Sequence, residues 1–111
     1  MSVRSFKYVK YDSGSTDETE VLNLNPGGAS GHYSVYARRI GGAGTATLTV
    51  SGSFKSAPSA NDKFEVQAAT SVGTGSLTNI LGASEEDQFP YLVLALDRTG
   101  TCEVDVYVTL M

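Results

Sequence analysis

The chain has no tryptophan, three prolines, one histidine (His32) and one cysteine (Cys102). A lone cysteine cannot close an intramolecular disulfide, so packing and hydrogen bonds must hold the fold. Cys102 falls on the apolar phase of an alternating run and reads as a small buried hydrophobe. With one histidine and one cysteine, a zinc site is short of imidazole and thiolate ligands. Any Ser–His–acid arrangement would rest on His32 alone, which follows a glycine-rich turn and reads as an ordinary strand-end side chain. No G-x-S-x-G, P-loop or H-E-x-x-H motif occurs. The sequence is therefore expected to be non-enzymatic and to need no cofactor.

Long apolar runs are missing as well. The start, MSVRSFKYVKY, lacks the apolar core of a secretion signal, and no stretch approaches the ~20 apolar residues of a membrane helix. The expectation is a chain made in a cytoplasm, not secreted, with no membrane partner. Positive charge is scarce too: 8 basic residues stand against 12 acidic ones, a net −4. That balance opposes binding by phosphate neutralisation, so no nucleic-acid partner is expected. Arg4, Lys7, Lys10, Arg38 and Arg39 read instead as solvated charges that discourage strand edges from pairing.

What the chain does have is period-two alternation. In GTATLTVSGS (44–53), Ala46, Leu48 and Val50 alternate with Thr45, Thr47, Thr49, Ser51 and Ser53. In TCEVDVYVTLM (101–111), Cys102, Val104, Val106, Val108 and Leu110 alternate with Thr101, Glu103, Asp105, Tyr107 and Thr109. Similar strands are read at SFKYVKY (5–11), EVLNL (20–24), HYSVYARRI (32–40) and KFEVQAA (63–69), with a short one near 77–81. FPYLVLALD (89–97) is apolar on both phases and should be a central or covered strand. Loops are read at SGSTDETE, NPGGASG, KSAPSAND and GASEEDQ, and GGAG (41–44) reads as a hairpin connection. Phe89 before Pro90 raises the chance of a cis bond there. With 111 residues and 12 glycines, this spacing predicts one all-β domain over 1–111. The expected architecture is an antiparallel β-sandwich, jelly-roll-like, of 7–8 strands.

Two groups of residues invite a functional reading. Asp12, Asp17, Glu18 and Glu20 gather oxygen ligands in one loop and are a Ca²⁺ candidate, although their spacing is not that of an EF-hand; Glu85, Glu86 and Asp87 form a second acidic cluster. Uncharged or aromatic strand faces suit contacts between proteins, and Thr45, Thr47, Thr49, Tyr36, Tyr91 and Tyr107 are the interface candidates. Tyr33 and Tyr36, three apart, must point to opposite faces.

The Thr-rich strand Gly44–Ser53, the Phe89–Leu92 strand, the Thr99–Thr101 turn and the final Val104–Val108 run together resemble small β-sandwich virion proteins of tailed bacteriophages. An S-x-D-G-x-x-W stretch that many of these carry is absent from SFKSAPSANDKF. The resemblance implies a structural virion component made in the host cytoplasm: a capsid decoration (cement) protein, or a neck, tail or fibre part. It implies homo-oligomers and capsid or other virion proteins as partners. The alternative is a glycan-binding module of the tail or fibre type, using tyrosine rings and the acidic loop.

Overall fold

The computed structural model describes residues 5–24, 33–85 and 89–110. These residues form eight strands: β1 (Ser5–Gly14), β2 (Glu18–Asn23), β3 (Tyr33–Gly41), β4 (Thr45–Ser53), β5 (Lys63–Ser71), β6 (Thr78–Glu85), β7 (Tyr91–Thr99) and β8 (Cys102–Leu110). A 3-10 turn, Ala60–Asp62, precedes β5; there Asp62 Oδ2 accepts from the Ser59 amide at 3.0 Å. All strand pairs are antiparallel. They build two four-stranded sheets in the orders β1-β8-β3-β6 and β2-β7-β4-β5.

That order has a simple origin. β4 pairs with β5, β3 with β6, β2 with β7 and β1 with β8. The chain is thus one long hairpin, bent at the β4–β5 connection and rolled on itself. The additional pairs β3–β8 and β4–β7 close the roll into two sheets. This is the eight-stranded jelly roll, an all-β sandwich as the alternation predicts.

The inward phases make one core. Val35 and Ala37 of β3 with Val104, Val106 and Val108 of β8 face Leu48 and Val50 of β4 with Leu92, Leu94 and Leu96 of β7, all fully buried. Cys102 belongs to the same cluster, as its alternation predicts, and its thiol lies 3.8 Å from the Thr45 carbonyl oxygen. Apolar burial of this kind is the main driving force for two sheets that each have only one apolar face. At one end the core runs outward through a chain of rings. Tyr33 meets Phe89 edge-on, Phe89 meets Phe64, and Phe64 meets the exposed Phe54. Gly52 makes room for them: a Cβ there would lie 2.6 Å from the Phe64 ring.

Several local expectations are corrected. GGAG is a crossover between sheets, because β3 and β4 lie in different ones. It packs on the β7–β8 turn: Gly44 donates to the Thr101 carbonyl at 2.9 Å, and a Cβ on Gly42 would sit 2.1 Å from that same oxygen. Local turn chemistry cannot distinguish a two-strand hairpin from a step between sheets. The β6 strand runs to Glu85, so Gly82–Glu85 are strand and not loop. In β5 two register shifts break the alternation, leaving Val66 against the core but Ala68 exposed. The Phe89–Pro90 bond is trans, and the Pro90 carbonyl accepts from the Leu24 amide at 2.8 Å. β7 is the central strand expected of its double apolar phase, flanked by β2 and β4.

Candidate interaction faces

The interface candidates divide between the two outer faces of the sandwich. Thr45, Thr47, Thr49 and Tyr91 stand on the outer face of β2-β7-β4-β5, where β4 and β7 pair Thr45 with Thr99, Thr47 with Asp97, Thr49 with Ala95, Ser51 with Val93 and Ser53 with Tyr91. On the other side of β7, Thr19, Val21 and Asn23 pair with Ala95, Val93 and Tyr91. The middle of this face is therefore hydroxyl and apolar, with Asp97 at one end and Lys63 and Glu65 on the edge strand. Val93 points outward yet is 1% exposed, sheltered by its neighbours in the sheet. Its burial accounts for the second apolar phase of FPYLVLALD.

Tyr36 and Tyr107 stand on the opposite outer face, that of β1-β8-β3-β6. Register joins them to a third ring: Tyr8 pairs with Tyr107, and Tyr107 pairs with Tyr36. The Tyr8 and Tyr107 ring centroids are 4.9 Å apart. One pleat further along lies a charged row, with Lys10 and Arg38 both in register with Asp105. Asp105 is 3% exposed although it faces outward. Its carboxylate accepts from the Tyr8 hydroxyl at 2.6 Å and from Arg38 Nε at 3.2 Å. Lys10 pairs with Glu103 at 2.8 Å.

The electrostatics follow from these contacts. The Tyr8 phenol is held above its ordinary range, first because its proton is donated to Asp105 and next because of desolvation. The Lys10 ammonium is likewise raised by Glu103, which hydrogen-bonds and attracts it. On the inner side of β1, burial pushes the Tyr11 phenol well up, with Glu20 and Glu18 adding repulsion to its ionised form.

The acidic loop has a partner that its sequence does not announce. Arg98, on the inward phase of β7 and with its side chain 2% exposed, reaches into the loop between β1 and β2. It donates to the carbonyls of Asp12 at 2.7 Å and Thr16 at 2.8 Å, to the carbonyl of Cys102 at 2.9 Å, and to the Glu18 carboxylate. The Asp17 carboxylate accepts from the Arg98 amide at 3.0 Å. Of the Ca²⁺ candidates, Glu18 thus uses a carboxylate oxygen and Asp12 its carbonyl on the buried guanidinium, and Asp17 uses its carboxylate on the Arg98 backbone amide. Glu20 stands apart on β2 opposite Leu94. Among the described residues no three His, Cys, Asp or Glu side chains gather as a metal site. Arg39 performs a similar fastening at the crossover, donating to Thr74 Oγ1 and to the Gly42 carbonyl.

Arg4, His32, Glu86 and Asp87 lie outside the described residues, as does NPGGASG. Sequence reasoning passes over Asp105 and Arg98 as site residues, takes Arg38 for a solvated charge, and meets Tyr8 as one of six tyrosines without choosing it. Tyr8, Arg38 and Asp105 share outward phases that alternation can find, but only the register β1–β8–β3 makes them neighbours. Comparison with protein-family models, with curated proteins and with solved structures finds no match for this chain.

Proposed function

We propose that this protein is a non-enzymatic structural component of a virion, a decoration (cement) protein that binds the surface of a capsid as a homo-oligomer. The observation that carries the reading is the uncharged middle of the β2-β7-β4-β5 face, bordered by Asp97, Lys63 and Glu65. A chain of net charge −4 that leaves such a face neutral can lay it against another protein without stranding charges. Threonine and serine hydroxyls add donors and acceptors that adapt by rotating. The jelly roll itself occurs in capsid and lectin domains alike, so the fold supports this reading only by analogy.

The test is co-sedimentation of the purified protein with capsids that lack it. Wild type is expected to pellet with the shells, and Thr47→Lys with Thr49→Lys to reduce the bound fraction at least tenfold while leaving the circular dichroism spectrum unchanged. Wild type that stays in the supernatant at every capsid concentration would discard the proposal.

A further inference from the structure

The opposite face carries a different kind of contact. Tyr8, Tyr107 and Tyr36 run in register across β1, β8 and β3. Tyr8 is 47% exposed, and Ile40, on the same phase of β3 as Tyr36, is 40% exposed. Tyrosine and arginine are the side chains that most often anchor protein interfaces, because they combine a large rigid area with a polar tip. Among the described side chains, the charges on this face are matched in number, Lys10 and Arg38 against Glu103 and Asp105, and each already has a partner within the sheet. Covering it leaves none of these four ions unpaired, which lowers the main penalty of burying charge.

The geometry points to this face as the surface through which copies of the chain associate with one another. The inference names the self-contact of the proposed decoration protein, and rests on that reading only for the role of the oligomer. Three observations favour a second copy over other occupants. The chain has a net charge of −4, so copies repel unless they meet through a locally neutral surface, and this one is balanced. A nucleic acid would need a net positive face, which a balanced one does not supply. The area is adequate: four strands about 4.8 Å apart and about 30 Å long present roughly 600 Å². Two such faces bury about 1,200 Å², the lower limit of stable specific interfaces. The hydroxyl face has similar area, but among the described residues its outward phase carries one aromatic, Tyr91, at one end, with the exposed Phe64 and Phe54 at its β5 margin.

Light scattering coupled to size exclusion, over a hundredfold range of concentration, tests the assignment on wild type, Tyr8→Ala, Tyr36→Lys and Thr47→Lys. Tyr8 is an exposed residue on an edge strand, so Tyr8→Ala should fold; circular dichroism checks each variant. Wild type and Thr47→Lys are expected to be oligomeric, and Tyr8→Ala and Tyr36→Lys to weaken association at least tenfold. A monomeric wild type, or an oligomer indifferent to both tyrosine changes, overturns the inference. If a monomeric wild type still pellets with capsids, the capsid-binding part of the decoration reading stands and its homo-oligomer falls with the inference; if wild type is a tyrosine-dependent oligomer that never pellets, the inference stands and the decoration reading falls. A glycan array completes the test: a monomeric wild type whose glycan binding is lost in Tyr8→Ala would assign the row to saccharides instead.

Discussion

The two outer faces belong to the same roll and cover the same core, yet they are built differently. On the β2-β7-β4-β5 face, Thr45, Thr47 and Thr49 stand in register with Thr99, Asp97 and Ala95. On the β1-β8-β3-β6 face, Asp105 is tied to Tyr8 and Arg38, and Lys10 to Glu103. Inside a border of Asp97, Lys63 and Glu65, one face is a set of small, neutral and separable side chains. The other is a pre-assembled network of rings and ions. A separable surface tolerates substitution and adapts to a partner, whereas a network fixes geometry before binding and loses less freedom when covered. The proposed roles rest on that difference, the adaptable face being assigned to the capsid and the pre-ordered one to self-contact.

The largest effect expected is one that cannot distinguish the faces. Arg98 ties the β1–β2 loop to β7 and to the start of β8, so it belongs to both sheets. Arg98→Ala leaves three carbonyls without a charged donor, each such bond being worth about 1.5–3 kcal/mol, and should cost about 3–5 kcal/mol in all, while the half-exposed Glu18 carboxylate returns to water. Urea denaturation would measure it, and capsid pelleting and self-association should fail together. A variant that keeps wild-type stability would show that the loop does not depend on this arginine.

The next effect separates the faces by stability alone. Asp105→Ala removes an almost buried acceptor shared by Tyr8 and Arg38, and should destabilise the fold by about 1–3 kcal/mol. Thr47→Ala, on the other face, removes a half-buried hydroxyl and should stay within about 0.5 kcal/mol of wild type. Equal losses in the two denaturation curves would mean that the network is no more than a set of surface contacts.

This contrast also explains how much could be read from the sequence. Alternation is a property of single strands, so the strands with a buried inward phase, β4, β7 and β8, were legible with their inward and outward residues. The class of fold follows from them. Which outward residues meet depends on register between strands far apart in the chain: Tyr8 and Tyr107 are joined only by the β1–β8 ladder. The same holds for Arg98, whose partners Asp12 and Thr16 are more than eighty residues away. GGAG fails for a related reason. Its glycines announce a turn, but the sheet that each flanking strand joins is decided by β8 and β7. The candidate faces were thus half visible: their residues could be named, and their neighbours could not.

The smallest effect compares the two sides of a single strand. Tyr8 and Tyr11 both lie on β1, one facing outward and one inward, and both phenols are raised above the unfolded value of about 10. A raised folded value means that the stability these groups contribute is fully present below about pH 10 and is lost as pH climbs above it. The causes differ, and so should the titrations. Tyr8 is held by its bond to Asp105 and can ionise while the protein stays folded, whereas Tyr11 is held chiefly by burial and should ionise only as the sheets separate. Near-ultraviolet difference absorbance, followed together with circular dichroism, resolves the two. Tyr8→Phe is expected to delete a reversible native component above pH 10, and Tyr11→Phe to delete one coincident with alkaline unfolding. If Tyr11 titrated reversibly in the folded protein, its side of β1 would be open to water, and the inward and outward faces of the strand would not differ as described.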